Sequence, residues 1–239
     1  MRNIPRIYLN ENLEVGKSFP ISKDIAHYLK DVMRTDKCLV FNNGEEFEAE
    51  LVPDSRFLVP TSKTGRPDPS NELTLAFAPI KQARLEEMLS MATQMGVARL
   101  QPVVTDRVNE HHVKWDRIRK IIIEAAEQSG RNSVPELMEP MEFDAFLEGT
   151  GDLVFADERL ANPHPRVSSS LTLARNSIPP RKRGRKSPGT ILIGPEGGFS
   201  EKEFAALDVA GAAGISLGKT ILRAETAAVA AIAKIVASR

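Results

Sequence analysis

The sequence predicts an α/β protein with a mostly parallel sheet, preceded by a small β-rich domain. Short apolar runs such as Leu153–Ala156 and Ile191–Ile193 are typical of buried parallel strands, and they alternate with segments of helical periodicity. The first part of the chain instead holds several strand-like segments and one helix. Because glycine and proline interrupt regular structure at 65–70, we place a boundary there and expect domains at 1–70 and 71–239.

The sequence predicts that the small domain is a barrel or a curled sheet. Ser22 is a favourable N-cap for its single helix. The apolar positions at helical spacing in that helix are Ile25, Tyr28, Leu29 and Val32. The predicted strands are Arg6–Leu9, Cys38–Phe41, Phe47–Val52 and Phe57–Val59, with a turn at 42–44 between the second and the third.

The larger domain alternates strands with helices. Its predicted strands are Leu73–Phe77, Leu100–Val104, Leu153–Ala156, Ile191–Ile193 and Ile215–Leu217. Its predicted helices are Leu85–Met95, Trp115–Ser129, one that begins after Ser200, and Ala227–Ala237. Residues 159–189 interrupt the pattern with prolines and a serine run. This stretch is too long for a routine connection, and we expect a mobile insertion there.

Composition excludes several classes of protein. Of the 239 residues, 41% are hydrophobic, which is enough for a buried core and argues against intrinsic disorder. Lys plus Arg and Asp plus Glu are both 32, so a globally basic nucleic-acid binder is excluded, although a local basic patch is not. The single cysteine, Cys38, excludes an intrachain disulfide and a cysteine-based metal site. Without a signal core or a membrane-spanning stretch, we expect a cytoplasmic location and no membrane partner.

A glycine-rich turn follows the strand Ile191–Ile193 directly. Its residues are Gly194, Pro195, Glu196, Gly197 and Gly198. Ser200 and Glu203 then form a capping box at the start of a helix. Carboxyl ends of parallel strands are where α/β proteins bind ligands, and glycines let backbone groups approach a ligand closely. A tight connection without a ligand is an equally good interpretation of these residues alone. The spacing matches neither a Walker loop nor a dinucleotide fingerprint.

A second glycine turn lies between Leu217 and Ala227, where Arg223 and Glu225 precede an Ala-rich helix. Taken alone, these two charged residues are best interpreted as an ordinary surface ion pair. The helix is small-sided nearly all round, so it must pack closely in the core or against another subunit.

Together the two turns resemble the Gly-Pro-Glu-Gly-Gly and Leu-Gly-x-x-Ile-Leu-Arg-x-Glu-Thr-Ala motifs of the ribosomal RNA small subunit methyltransferase E family, which belongs to the knotted SPOUT methyltransferases. The segment from Trp115 to Arg131, followed by Val134-Pro135, is similar to the family's Arg-Trp…Glu-Ala-x-Glu-Gln…Arg…Pro segment. A weaker match is Ala92–Val97. There, Met91 and Gln94 stand where the family usually has Lys and Glu.

This resemblance implies a trefoil-knotted methyltransferase domain after a PUA-like RNA-binding barrel. It implies transfer of a methyl group from S-adenosylmethionine to N3 of one uridine in 16S ribosomal RNA, without a metal. Arg223 and Glu196 are the implied catalytic residues, and Gln128 and Arg131 the implied RNA contacts. The implied cofactor-binding residues are Ile193, Gly194, Pro195, Glu196, Gly197, Gly198, Leu217, Gly218, Ile221, Leu222 and Arg223.

The resemblance also implies a homodimer that acts on 16S ribosomal RNA or on the small ribosomal subunit. Two alternatives stay open: another SPOUT enzyme that acts on ribose 2′-hydroxyls or transfer RNA, and a non-catalytic RNA-binding assembly protein. The basic run Arg181–Lys186 either contacts RNA phosphates or is a solvated loop. The same choice applies to Lys23, Lys30, Arg34 and Lys37.

Overall fold

The computed structural model describes residues 4–108, 112–160 and 189–237, and the chain forms two compact units. The N-terminal unit comprises Met1–Ser70 and Ile122–Val134, and the C-terminal unit comprises Asn71–Ile121 and Pro135–Arg239. This division differs from the predicted domains, because residues 122–134 cluster with the first unit although they lie far beyond the boundary at Ser70. Residues 161–188, which make up most of the predicted insertion and contain Arg181–Lys186, lie outside the described ranges.

The N-terminal unit contains a five-stranded sheet with the order β1-β3-β4-β5-β2. β1 pairs with β3 in parallel, and the other pairs are antiparallel. Its strands are β1 (Arg6–Tyr8), β2 (Phe19–Pro20), β3 (Lys37–Asn42), β4 (Glu45–Leu51) and β5 (Phe57–Lys63).

The β3–β4 hairpin turns at Asn43 and Gly44, which have φ values of 51° and 81°. Positive φ at both central positions is what a tight hairpin needs to match the twist of its strands, and asparagine and glycine tolerate it best. The turn predicted at 42–44 is therefore confirmed.

The helix of this unit is shorter than its apolar spacing predicts. Ser22 accepts a hydrogen bond from the Ile25 amide at 3.2 Å and caps α1 (Lys23–His27). The chain then continues as a π-helical turn over Tyr28–Met33, which ends at Arg34 with φ of 52°. The wider turn breaks the 3.6-residue period. As a result Leu29 is buried, whereas Val32 is 60% exposed.

A buried carboxylate organises the polar interior of the N-terminal unit. Glu46 is 3% exposed, and its Oε1 accepts hydrogen bonds from Arg6 Nε and Nη2 at 2.9 and 2.7 Å and from Arg66 Nη2 at 2.8 Å. Thr64 donates to its Oε2 at 3.1 Å. Two guanidinium groups thus share one carboxylate, which offsets the cost of burying it.

The same arginines hold residues 126–131 in the unit. Arg6 Nη1 donates to the carbonyls of Ala126 and Glu127 at 3.2 and 3.1 Å, and its Nη2 donates to the Arg131 carbonyl at 2.7 Å. Arg66 Nη2 donates to the Gly130 carbonyl at 2.6 Å. These bonds satisfy carbonyls at a helix C-terminus, and they explain why the segment clusters with the small sheet.

Asp68 makes the stability of this unit dependent on pH. Burial opposes ionisation of Asp68, but hydrogen bonds from the Ser133 hydroxyl, the Asn132 amide and the Ser70 hydroxyl outweigh it and lower the pKa of the carboxyl. The resulting stabilisation is complete above about pH 3.9, which is the pKa of an aspartate carboxyl in an unfolded chain. It is lost as the pH falls through the lowered pKa of Asp68 in the folded chain.

We therefore expect Asp68→Asn to flatten the acid branch of the stability curve. Urea unfolding of the wild type should show a falling free energy of unfolding below about pH 4, and the variant should show a smaller fall. Asp54→Asn is the control, because Asp54 is exposed. Equal acid dependence in the wild type and Asp68→Asn would contradict the assignment.

The C-terminal unit contains a seven-stranded sheet in which every pair is parallel. Its order is β12-β10-β11-β6-β7-β8, and β9 also pairs with β7. The predicted α/β class with a mostly parallel sheet is confirmed. The strands are β6 (Thr74–Phe77), β7 (Arg99–Val104), β8 (Glu136–Leu137), β9 (Met141–Glu142), β10 (Leu153–Ala156), β11 (Thr190–Ile193) and β12 (Ala213–Ile215).

The remaining helices are α2 (Gln82–Gln94), α3 (Trp115–Ser129), α4 (Phe143–Gly149), α5 (Glu201–Val209) and α6 (Ala224–Ala237). α3 has the predicted bounds and contributes residues to both units. The last strand ends at Ile215, two residues before the predicted end, and the last helix begins at Ala224, three residues early. The earlier strand end lengthens the connection that carries Arg223, whereas the earlier helix start shortens it and places that residue directly before α6.

Among the described residues, no helix combines the length and apolar character needed to cross a membrane. Within the same part of the chain, no group of three or more His, Cys, Asp or Glu side chains is arranged to hold a metal ion.

Candidate functional site

A cavity of about 470 Å³ lies where three neighbouring parallel strands end. The loops after β10, β11 and β12 form most of its wall, and the start of α6 and residues at the start of α2 complete it. β11 lies between β10 and β6, although β6 comes much earlier in the chain, so the strand order changes direction here. Open parallel sheets commonly bind ligands at such a point, and the volume suits a small molecule.

Nine of the eleven residues predicted to bind the cofactor line this cavity. They are Ile193, Gly194, Pro195, Glu196, Gly198, Leu217, Ile221, Leu222 and Arg223. Gly197 and Gly218 are not part of its lining. The carbonyl of Gly197 instead accepts a hydrogen bond from Arg107 at 2.9 Å, and Gly218 has φ of 136°, a conformation that favours glycine.

The glycine turn after β11 is built against a buried aromatic ring. A Cβ added to Gly194 would lie 2.9 Å from Phe199, which is itself buried beside Phe155 and Phe204. Gly198 has φ of 68°, and its amide donates to the Pro195 carbonyl at 2.9 Å, which closes the turn. Glycine is therefore required at 194 for space and at 198 for backbone conformation.

The predicted capping box fixes the far end of this turn. The Ser200 amide donates to Glu203 Oε2 at 2.7 Å, and the Glu203 amide donates to Ser200 Oγ at 3.2 Å. The second carboxylate oxygen of Glu203 accepts from the Asp106 amide at 2.8 Å. This buried carboxylate thus joins the loops after β7 and β11, and it holds the turn in one position.

Two of the three carboxylates that line the cavity are neutralised by arginines. Glu196 Oε1 lies 2.6 Å from Arg84 Nη1. Asp157 accepts from Arg159 Nε and Nη2 at 2.9 and 2.8 Å. The hydrogen bond to Asp157 raises the pKa of Arg159, and the guanidinium also stacks on Phe204 at 3.4 Å. The third carboxylate, Glu158, makes no hydrogen bond or ion pair with any described residue.

The positively charged side chains that line the cavity likewise include both paired and unpaired groups. Arg84 is paired, whereas the side chains of Lys81 and Arg223 are exposed and make no ion pair within the described ranges.

The ion pair between Arg223 and Glu225 considered from the sequence is not formed. Glu225 points inward instead, is 8% exposed, and has no hydrogen-bond partner for its Oε2 among the described atoms.

The residues predicted to contact RNA belong to the N-terminal unit. Gln128 lines a separate cavity of about 430 Å³ there, together with Tyr28, Glu124 and Glu127. Arg131 is 1% exposed, and burial lowers its pKa. Its guanidinium therefore does not reach the surface, which differs from the predicted direct contact. The network around Glu46 that buries this segment is made of long-range hydrogen bonds, and these leave no local sequence signal.

The family resemblance implies that the turn after Ala156 lies beside the cofactor, but sequence reasoning named none of Lys81, Arg84, Asp157 and Glu158. The last two follow the predicted strand Leu153–Ala156 at once, so the same strand-end rule that selected the glycine turn would have found them. Lys81 and Arg84 follow β6 by only a few residues, and the same rule applies to them.

Comparisons with known proteins identify the family of this chain. The family model of the RNA methyltransferase domain matches residues 66–236. A Rickettsia conorii protein named ribosomal RNA small subunit methyltransferase E is 33% identical, over 96% of this chain and 94% of that protein. The chain belongs to the ribosomal RNA small subunit methyltransferase E family.

Two solved structures show a similar fold. A Neisseria gonorrhoeae ribosomal RNA small subunit methyltransferase E bound to S-adenosylmethionine has a TM-score of 0.80 at 27% identity, covering 99% of this chain and 98% of that one. A Legionella pneumophila protein, described as a methyltransferase in complex with the same cofactor, has a TM-score of 0.78 at 27% identity over 99% and 98% of the two chains.

Proposed function

We propose that this member of the methyltransferase E family transfers a methyl group from S-adenosylmethionine to N3 of a uridine in 16S ribosomal RNA. The supporting observation is the cavity at the ends of β10, β11 and β12, which gathers nine residues of the two glycine-turn motifs. Relatives that share this fold over nearly their whole length were crystallised with S-adenosylmethionine.

The residues present fit this donor. Its adenine requires an apolar slot, and Ile193, Leu217 and Leu222 supply apolar side chains in the cavity wall. Gly194 and Gly198 keep backbone close to the cavity without a side chain in between. When bound, the donor supplies an electrophilic methyl group on a positively charged sulfur.

Arg223 is the residue we assign to the uracil. Methylation at N3 releases the N3 proton to water, forms an N3–C bond and breaks the carbon–sulfur bond, whose electron pair stays on sulfur. Loss of the proton places negative charge on the uracil oxygens. The Arg223 guanidinium is exposed at the cavity and free of ion pairs in the described structure, which leaves its donors available for those oxygens. An arginine stabilises this charge without acting as the base.

Glu196 is assigned to positioning. Its carboxylate is bound to Arg84 at 2.6 Å, and this ion pair occupies one carboxylate oxygen and fixes the side chain beside the turn. The pairing therefore favours a role in orienting the donor or the loop over a role as the base that takes the N3 proton.

The remaining parts of the proposal follow the family resemblance. They are a trefoil knot in the C-terminal unit, a PUA-like RNA-binding role for the curled sheet, a homodimer and a cytoplasmic location. The exposed cations Lys23, Lys30, Arg34 and Lys37 support RNA binding by the N-terminal unit.

Two measurements test the function. Calorimetry of the full chain with S-adenosylmethionine should give saturable one-site binding. Incubation with that donor and small ribosomal subunits that lack the modification should add one methyl group to a uracil base, located by mass mapping of the 16S ribosomal RNA. A methyl group on a ribose, or on transfer RNA alone, would contradict the uridine-N3 assignment. RNA binding with no uptake of the donor would leave only an assembly role.

A further inference from the structure

Glu158 is the one carboxylate of the cavity lining that lacks a counter-charge within the described structure. Arg84 neutralises Glu196 and Arg159 neutralises Asp157, but Glu158 has no hydrogen bond or ion pair. An ionised carboxylate prefers full hydration or a cationic partner. Glu158 is an exposed residue whose carboxylate is hydrated, and its position in the cavity wall makes it available to a ligand that brings a positive charge.

The carboxylate of Glu158 lies against Gly198 of the glycine turn. A Cβ added to Gly198 would lie 2.7 Å from Glu158 Oε1, closer than real side chains approach. Glu158 thus rests directly against the backbone of the turn that carries Gly194 and Glu196. The carboxylate lies beside the loop to which the cofactor-binding role is assigned, and it lines the same cavity.

We propose that Glu158 binds a positive group of the methyl donor and so makes the cavity selective for a cationic ligand. This inference rests on the proposed function. S-adenosylmethionine carries two positive groups, the sulfonium and the α-ammonium, and one carboxylate. Lys81 is an unpaired cation of the same cavity, and its charge matches that carboxylate. With Arg223, which is assigned to the uracil, the wall therefore offers unpaired charges of both signs to a ligand that carries both.

The choice of cationic group has a consequence for turnover. Methyl transfer converts the sulfonium into a neutral thioether but leaves the α-ammonium unchanged. If Glu158 binds the sulfonium, its attraction disappears when the reaction is complete, and the product is released more easily. If it binds the ammonium, donor and product are held equally well.

Calorimetry with three nucleosides tests the proposal and separates these two cases. The ligands are S-adenosylmethionine, S-adenosylhomocysteine, which keeps the ammonium but has a neutral sulfur, and 5′-methylthioadenosine, which has neither charge. Glu158→Gln keeps the shape of the side chain and removes its charge. Glu148→Gln is the matched control, because Glu148 is an exposed carboxylate on α4 outside the cavity lining.

Glu158→Gln should weaken binding of S-adenosylmethionine about tenfold or more, as expected for the loss of a charged hydrogen bond, and Glu148→Gln should leave it unchanged. If Glu158→Gln weakens binding of S-adenosylhomocysteine as much as binding of the donor, Glu158 binds the ammonium. If it weakens binding of the donor alone, Glu158 binds the sulfonium.

Unchanged donor binding by folded Glu158→Gln, or equal weakening of 5′-methylthioadenosine, would overturn the inference while the proposed function stands. A wild-type chain that binds no donor would instead overturn the proposed function.

Discussion

Replacing Arg223 with alanine should lower the rate of methyl transfer by about 10²–10³-fold, because one donor to a developing oxyanion typically contributes that much. Donor affinity and far-ultraviolet circular dichroism should stay near wild type, because the Arg223 side chain is exposed and makes no ion pair among the described residues. The measurement is transfer of a labelled methyl group to small ribosomal subunits at saturating donor.

Two further variants make the test specific for Arg223. Lys219→Ala removes an exposed positive charge from the same loop and should retain most of the activity. Arg223→Lys keeps the charge but loses the planar pair of donors, so it should recover only part of the rate. Near-normal methylation by Arg223→Ala would remove this residue from the mechanism, and equal losses in Arg223→Ala and Lys219→Ala would indicate a general electrostatic effect on RNA binding.

Replacing Glu46 with alanine should cause the largest loss of stability in the N-terminal unit. The substitution removes the shared acceptor of Arg6 and Arg66 and leaves a mostly buried guanidinium without its counter-charge. Breaking such a buried pair from one side typically costs about 3–5 kcal/mol. Glu45→Ala is the adjacent control, because the ion pair of Glu45 with Lys63 is half exposed and should contribute less than about 1 kcal/mol.

Fluorescence separates the two units in this experiment. Both tyrosines, Tyr8 and Tyr28, lie in the N-terminal unit, and the lone tryptophan, Trp115, lies in the C-terminal unit. Urea unfolding of Glu46→Ala should lower the midpoint reported by tyrosine more than the midpoint reported by tryptophan. Equal losses in Glu46→Ala and Glu45→Ala would show that the buried network does not stabilise the unit.

Local signals account for most of the sheet in the C-terminal unit and for the turns that line its cavity. Apolar runs predicted β10 and β11 because buried parallel strands need apolar side chains on both faces. The capping box at Ser200 was predictable because its two hydrogen bonds connect residues only three apart. Two-residue strands such as β8 have no periodicity to detect. The apolar spacing in the sequence of Tyr28–Met33 is that of an α-helix, although the chain forms a π-helical turn there.

Local sequence patterns could not predict which charged side chains are buried or which ones pair across long distances in the sequence. Arg131 follows a glycine at a helix end, so the local pattern predicts that it is exposed, yet it is buried. Arg84 and Glu196 are 112 positions apart, and their pairing depends on the crossover that places β6 beside β11. The cavity was therefore predictable as a position at the strand ends, whereas the pairing of its charges, and with it the isolation of Glu158, required the folded chain.

The grouping of residues 122–134 with the first seventy has a consequence for how the protein is made. A chain that leaves the ribosome vectorially has completed Ser70 long before it reaches the carbonyls of Ala126, Gly130 and Arg131 that Arg6 and Arg66 bind. The amino-terminal part therefore cannot reach its native state as soon as it is synthesised, and it waits for residues 71–134, about a quarter of the polypeptide, to follow. A nick or truncation at the apparent boundary would leave those two arginines without their carbonyl acceptors.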